Sequence, residues 1–345
     1  MSERPRVTVL MAVHNGEKYL RKAVESVLGQ SFRDFEFLVV NDGSTDDSPA
    51  ILRSYGDPRL RLVDNEVRKG LSSALNEGID LARGEYIDRM DSDDVCLPER
   101  LSRQVAFLDR HPEVGACGSW VRLIGEGEGT VWRYPTDPEI IRCGLLFESK
   151  LAHPSVMIRR ESLEKASLRY DPSFASGQDY DLWVRFSERF PLANIGEVLV
   201  GYRRHPLQAG RTVGDDQRKS AARIRLAQLR ALGMEPTEAD LTVHERLSTW
   251  TITGTRESVE QAGKWLGKIK AANDTWGLYP GTALSRVLGE RWSAACEAAS
   301  GTGPWAWKAF RGSPLSDYAG LGWKERVKFL VRCAFRRPPS HSIPR

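Results

Sequence analysis

The sequence predicts an α/β fold: a mostly parallel sheet flanked by helices, followed by a helical C-terminal extension. Three observations predict it. Short β-branched apolar runs alternate with helix-period segments through the first half, the rhythm of a parallel sheet covered on both faces. Polar and acidic clusters follow directly on two of those runs, at the strand ends where such sheets bind ligands. After about residue 210 the strand patterns give way to helical ones with scattered tryptophans.

The elements follow in order. Val7 to Val13 is a β-branched run, and Glu17 to Leu28 carries apolar residues at helical spacing (Leu20, Ala23, Val24, Val27, Leu28). Phe35 to Val40 reads as a strand that stops at Asn41-Asp42-Gly43-Ser44. Leu60 to Val63 is a short strand, Leu71 to Ala82 a helix, and Glu85 to Met90 a strand running into Asp91-Ser92-Asp93-Asp94. Pro98 to Asp109 is a helix with Pro near its start, where the missing N–H does no harm. Further strands are expected at Ala116 to Ile124, Ser155 to Ile158 and Val198 to Arg203, and a helix at Tyr180 to Arg189. Beyond them, Arg218 to Leu232 and Glu257 to Ile269 look helical.

Of the 345 residues, 28% are charged and 41% hydrophobic, a composition that supports a sizeable core and roughly two domains. Five scattered cysteines with no CxxC argue against a disulfide framework or structural zinc, and for a reduced, cytoplasmic protein. The N-terminal apolar stretch runs straight into polar residues, as a first core strand does and a signal peptide does not. No run approaches the ~18 apolar residues of a spanning helix.

Three clusters carry chemistry. In Asp91-Ser92-Asp93-Asp94, three carboxylates repel one another unless a cation or turn N–H groups compensate. Such hard oxygens suit Mg²⁺ or Mn²⁺ beside phosphate, and equally a solvated turn that caps the next helix. Asn41 to Asp46 reads as a tight turn with caps, or as a place where Asp42 accepts hydrogen bonds from a base or ribose. In Gly177-Gln178-Asp179-Tyr180-Asp181, the acids either complement a helix dipole or supply a general base. Two residues apart on a helix they point about 200° apart, so one of them faces the site. No GxGxxG follows the first strand and no GxxxxGK[ST] occurs, which disfavours a nicotinamide enzyme or a P-loop kinase.

Taken together, the stretches VTVLMAVHNGEKYLRKAVESVLGQSF, EFLVVNDGSTDDS, KGLSSALNEGIDLARGEYIDRMDSDD, HPSVMIRR, GQDYDLWVRFSE and LVGYRRH resemble the family 2 glycosyltransferases of GT-A fold. They occur in the family's order over roughly residues 5 to 206. The resemblance implies an inverting, metal-dependent enzyme that moves a sugar from a nucleoside-diphosphate sugar, UDP-linked, to a hydroxyl of a glycan or lipid-linked acceptor in cell-surface polysaccharide synthesis. It implies that Asp42 contacts uracil or ribose, and that the backbone of Ala12, Val13 and Asn15, with Glu17, forms the nucleotide pocket. Asp91 and Asp93 match the DxD motif for Mn²⁺ or Mg²⁺, with Asp93 the direct ligand and Asp91 also beside the donor. Asp179 matches the catalytic base, with Gln178 where many relatives have Glu. His205 matches a position near the metal or diphosphate, and is otherwise a surface or core-edge histidine; His153 reads as structural or acceptor-side. Asp88 departs from the family pattern. Inside a buried strand it needs a basic partner, and its neighbour Arg89 points to the other face.

The implied organisation is a GT-A domain over 1–210 (nucleotide-sugar half 1–115, acceptor half 116–210), then a helical region over 211–345. Residues 322–345 carry seven Lys/Arg and one Glu, net +6, leaving −2 for the rest of a chain whose total is +4. On a helical projection Trp323, Val327, Leu330, Val331 and Ala334 share one face, and Lys324, Lys328, Arg332 and Arg336 form a row on another. This tail suits either a docked terminal helix or a helix on an anionic membrane surface, making the protein cytoplasmic with peripheral attachment. Two other readings are a sugar-1-phosphate nucleotidyltransferase, which the loop AVHNGEKYL fits poorly, and a non-catalytic carbohydrate-binding protein using its tryptophans. Nucleic-acid binding is disfavoured because the cations gather in one short tail.

Overall fold

The computed structural model describes residues 4–206 and 214–337. Residues 338–345 of the basic tail, and the boundary expected near 210, lie outside the described residues. The chain divides into two compact units, Met1–Pro138 with Ser149–Ser220, and Glu139–Glu148 with Ala221–Arg345. The helical unit thus draws a short segment from the middle of the first half, which no composition shift in the sequence marks.

The first unit contains β1 (Val7–Val13), α1 (Glu17–Leu28), β2 (Phe35–Asp42), α2 (Ser48–Arg53), β3 (Leu60–Asn65), α3 (Leu71–Leu81), β4 (Tyr86–Asp91), β5 (Val95–Cys96), α4 (Arg100–Arg110), β6 (Ala116–Gly125) and β7 (Val131–Trp132). After α5 (Pro138–Gly144), most of which belongs to the second unit, come β8 (Met157–Arg159), α6 (Arg160–Ala166), α7 (Gln178–Ser187) and β9 (Leu192–Arg204). The sheet order is β3-β2-β1-β4-β8-β6-β9-β5, with β7 paired to β6. The stretch from β3 to β4 is parallel, as is β6 beside β9, while β8, β5 and β7 run antiparallel to their partners.

Alternation along β1 sorts the two faces. Val7, Val9, Met11 and Val13 pack with Leu20, Ala23, Val24 and Val27 of α1 and with Leu101, Val105 and Leu108 of α4. Leu10 turns the other way, onto α3, where a Cβ at Gly78 would come 2.1 Å from its Cδ1. Both faces are therefore covered, and ligand access is left to the sheet's edge at the strand ends. β9 is longer than its pattern suggests. Its register against β6 shifts around Trp120, and Gly196-Glu197 breaks the apolar alternation there.

The second unit contains α8 (Gly214–Ala231), which begins in the first, then α9 (Glu238–Ser248), α10 (Arg256–Trp276), α11 (Gly281–Ala298), α12 (Pro304–Gly312) and α13 (Trp323–Ala334). Its core joins Trp265, Leu266 and Ile269 of α10 to Leu284, Leu288 and Trp292 of α11, and to Phe310 and Phe329. Cys143, Leu146 and Phe147 from the inserted segment enter the same core. The segment's backbone is tied down as well: Arg225 Nε donates to Phe147 O at 2.7 Å and Gln228 Nε2 to Leu145 O at 2.9 Å. His244 has Nε2 at 3.1 Å from Leu146 O, while its Nδ1 accepts from Trp265 Nε1 at 3.1 Å. Burial pushes this imidazole down to about 3, so it stays neutral and can make both bonds. Trp265 and Trp292 are thus core residues and not a sugar-stacking platform; among the described tryptophans, Trp276 and Trp323 are exposed. No described helix is long and apolar enough to cross a membrane.

Candidate active site

The site grows from β4. In the parallel register Val9 sits beside Asp88 and Leu10 beside Arg89, so Asp88 faces α4 and Arg89 faces the α3 side. Asp88 is fully buried and bonds Arg100 Nη2 at 2.8 Å; that is the basic partner its burial demands. Burial pushes the Asp88 carboxyl up to about 6, against the pull of Arg100. Arg100 also donates to Arg89 O at 2.7 Å and to Gln104 Oε1 at 3.0 Å.

One residue on, Arg89 emerges on the other face and reaches Asp91, Nη2 to Oδ1 at 2.5 Å. Burial opposes its charge, but Asp91, with Tyr170 and Asp94 behind it, outweighs that and holds the guanidinium above its ordinary value. Its Nε and Nη1 have no hydrogen-bond partner among the described residues. Beyond the strand, ligand atoms of Asp91, Asp93 and Asp94 lie within 4.8 Å of one another. Burial and then the neighbouring Asp91 charge push the Asp93 and Asp94 carboxyls up.

The end of β9 clamps this turn. Arg203 N donates to Asp94 Oδ1 at 2.6 Å, and its Nε to Asp93 O at 2.7 Å. Its guanidinium lies 4.6 Å from the centre of the Tyr19 ring. His205 Nε2 sits 2.9 Å from Asp93 Oδ2, with its imidazole 4.9 Å from the Tyr19 ring. Asp94 Oδ2 is buried without a partner. Hard oxygen donors in mutual repulsion, with one oxygen orphaned and an imidazole alongside, fit a divalent cation such as Mg²⁺ or Mn²⁺.

Asp42 ends β2, and its carboxylate accepts from Lys69 N at 2.7 Å and Gly70 N at 2.9 Å, at the start of α3. Gly43 follows with φ +64°, and a Cβ there would sit 2.5 Å from Arg68 N, so the approach of these two loops requires glycine. The loop after β1 is laced to the loop after β2. Asn15 N donates to Ser44 Oγ at 2.9 Å, and Asn15 Oδ1 accepts from Thr45 N at 2.8 Å. Glu17 Oε2 accepts from Asp47 N at 3.0 Å, while Glu17 N donates to Asp46 Oδ2 at 3.0 Å. Val13 points into the core and Ala12 is half-buried at the sheet edge, beside Asp91 in register. Asn15 and Glu17 therefore hold the loops after β1 and β2 together.

Asp179 lies in the first turn of α7, after Gly177 with φ 76°. Burial raises its carboxyl, against backbone hydrogen bonding and Arg89, and Asp91 is close enough to add repulsion. Asp181 turns away onto Arg185 at 2.6 Å, as helical geometry requires. His153 is buried, with Nε2 2.8 Å from Tyr170 Oη; burial and then Arg89 hold it well below its ordinary value, a neutral structural imidazole. Sequence reasoning missed Arg89 and Arg203. The signal for Arg89 was available: an arginine within an apolar strand, next to an acidic turn, needs a reason to be buried.

Residues 8–167 match the model of glycosyl transferase family 2. An O-antigen biosynthesis glycosyltransferase, WbnJ of Escherichia coli, is 33% identical over 58% of this chain and 80% of its own length. The chain belongs to glycosyl transferase family 2. An uncharacterized glycosyltransferase of Methanocaldococcus jannaschii is 32% identical over 58% of this family 2 chain and 71% of its own, and one of Haemophilus influenzae is 28% identical over 65% and 73%. Among solved structures, residues 1–349 of Staphylococcus aureus TarS superpose with a TM-score of 0.55 at 18% identity, over 91% of this chain and 89% of that one. This likeness shows the fold: GT-A, a sheet flanked by helices with a helical C-terminal region.

Proposed function

We propose that this family 2 glycosyltransferase is an inverting, divalent-cation-dependent enzyme that moves a sugar from a nucleoside diphosphate, UDP, to a hydroxyl of a glycan or lipid-linked acceptor in polysaccharide synthesis. The carrying observation is the acidic turn after β4, where three carboxylates crowd together with one oxygen unpartnered, and where Asp91 lies within electrostatic reach of Asp179. Mg²⁺ or Mn²⁺ held by Asp91 and Asp93, with His205 beside it, would supply charge compensation for the departing diphosphate. Asp42 and the loops held together by Asn15 and Glu17 receive the nucleotide, with Ala12 and Val13 presenting backbone. Asp179, its carboxyl raised by burial toward the working pH, accepts the acceptor's proton as the new C–O bond forms. A single displacement from the face opposite the diphosphate inverts the anomeric carbon. Support for the donor comes from the TarS structure solved with UDP-GlcNAc. Support for the pathway comes from the O-antigen name of the E. coli relative. Five free, buried cysteines suit the reducing cytoplasm, and a lipid-linked acceptor suits peripheral attachment at a membrane.

The test is nucleoside diphosphate release from a panel of nucleotide sugars, with and without Mn²⁺. The expected result is metal-dependent release from one donor, reduced ~10²–10⁴-fold in Asp179→Asn. Silence across the panel together with no nucleotide binding by calorimetry would overturn the reading.

A further inference from the structure

The rotation of α13 is fixed by what it buries. Phe329 and Cys333 are fully buried, and the Phe329 ring lies 5.4 Å from Trp307 and 5.6 Å from Phe310 of α12. Arg332 pairs with Glu297 at 3.2 Å, and Arg326 Nε donates to Leu321 O at 3.0 Å. At about 100° per residue, this leaves Trp323, Val327, Leu330 and Val331 on the far side, with Phe335 just past the helix end. Their exposures are 72%, 49%, 43%, 48% and 69%. Among the described residues ten large hydrophobics are exposed, and five of them fall within Trp323–Phe335. The apolar face foreseen in the sequence is thus not the face that docks. A concentration of this kind on a water-exposed helix marks an interaction surface.

The charges around the stripe select its partner. Lys324 and Lys328 are exposed along one border, and Arg336 and Arg337 are exposed at its C-terminal end. We propose that α13 is a membrane-surface helix: the stripe from Trp323 to Phe335 enters the interface of an anionic bilayer while Lys324, Lys328, Arg336 and Arg337 meet lipid headgroups. Apolar residues on one arc and cations beside it match an in-plane interfacial helix. Tryptophan favours the headgroup level, and lysine stems can lie along the apolar surface with their ammonium groups in water. The net +6 on residues 322–345, against −2 on the rest, suits anionic lipid. A symmetric second copy on this face would oppose like charges across the contact.

The experiment sediments the full chain with vesicles of phosphatidylcholine alone, or with about a third phosphatidylglycerol, in the absence of nucleotide and metal. The chain should pellet with the anionic vesicles and remain in solution with the neutral ones. Lys324→Gln with Lys328→Gln should lower the partition coefficient about 30-fold, from about five- to sixfold per cation. Trp323→Ser with Val331→Ser should lower it at least about tenfold. All four side chains are exposed, so the fold survives, as an unchanged Tm would verify. Absence of binding to anionic vesicles, equal binding to both compositions, or unaltered binding in either double variant would overturn the proposal. So would a dimer, detected by light scattering, that the stripe variant dissociates while vesicle binding stays the same.

Discussion

Asp88 and the Asp91–Asp94 turn belong to one strand and its exit, yet the fold treats their carboxylates in opposite ways. Asp88 faces α4 and is closed off by Arg100, which also holds Arg89 O and Gln104. The turn has three carboxylates against one clearly paired guanidinium; a buried oxygen without a hydrogen-bond partner occurs in both, Asp88 Oδ2 and Asp94 Oδ2, so the charge count is what sets them apart. A buried acid with a dedicated arginine is part of the frame. Acids gathered without enough cations are what the proposed metal site would use. Carboxylate charge alone does not separate these roles; the count of opposing charges does.

Removing one partner from the closed pair should have the largest effect on folding. Asp88→Ala leaves Arg100 charged and buried, and should lower unfolding free energy by about 3–5 kcal/mol in denaturant titration. Asp88→Leu with Arg100→Leu should recover most of that. A loss in the double variant as large as in the single would mean that the pair's geometry, rather than its charge balance, supports β4. In the open cluster a neutralising change should have the opposite sign. Asp94→Asn keeps the acceptor for Arg203 N and removes one repelling charge, so the metal-free protein should gain about 1 kcal/mol, or about 2–4 °C in Tm. A Tm drop of that size would make Asp94 a frame residue like Asp88.

The pH response is the smaller effect. A raised carboxyl binds its proton more tightly folded than unfolded. Its contribution is therefore full below the ordinary value of 3.8 and lost as pH rises through the folded value, about 6 for Asp88. Asp93, Asp94 and Asp179 shift the same way. The buried neutral His153 and His244 act in the opposite direction over the same range, so the carboxyl's share is read as a difference: the Tm of the metal-free wild type minus that of Asp88→Asn should fall as pH rises from about 4 to 7. Mn²⁺ requires deprotonated ligands, so the Tm increase it causes should be larger at about pH 8 than at about pH 5. An increase independent of pH would remove these carboxylates from metal binding.

Much of the frame was legible in the sequence because alternation and helical period mark half-covered elements. β1, α1, β2, α3 and β4 fall within a few residues of where their patterns place them. α11 was not legible: apolar and small residues are buried around most of its circumference, from Ala283 and Leu284 to Ala295 and Cys296, which erases the one-sided stripe. The inserted segment at 139–148 was hidden too, since its core partners lie far along the chain. The acids of the site were legible as strand-end clusters. Their arginine counterparts were not: Arg100 reaches Asp88 from α4, and Arg203 reaches the acidic turn from β9 through sheet order, which a local pattern does not carry. His205, beside Asp93, was named only through the family resemblance.

In the proposed mechanism the acidic turn after β4 holds a divalent ion that in turn holds the donor's diphosphate. Calorimetry of UDP binding, with and without Mn²⁺, on the wild-type chain and on Asp93→Ala tests it most directly. Mn²⁺ should tighten UDP binding to the wild type, and Asp93→Ala should abolish this enhancement while the fold, read by Tm, is retained. Equal enhancement in both proteins, or UDP binding indifferent to Mn²⁺ in the wild type, would contradict it.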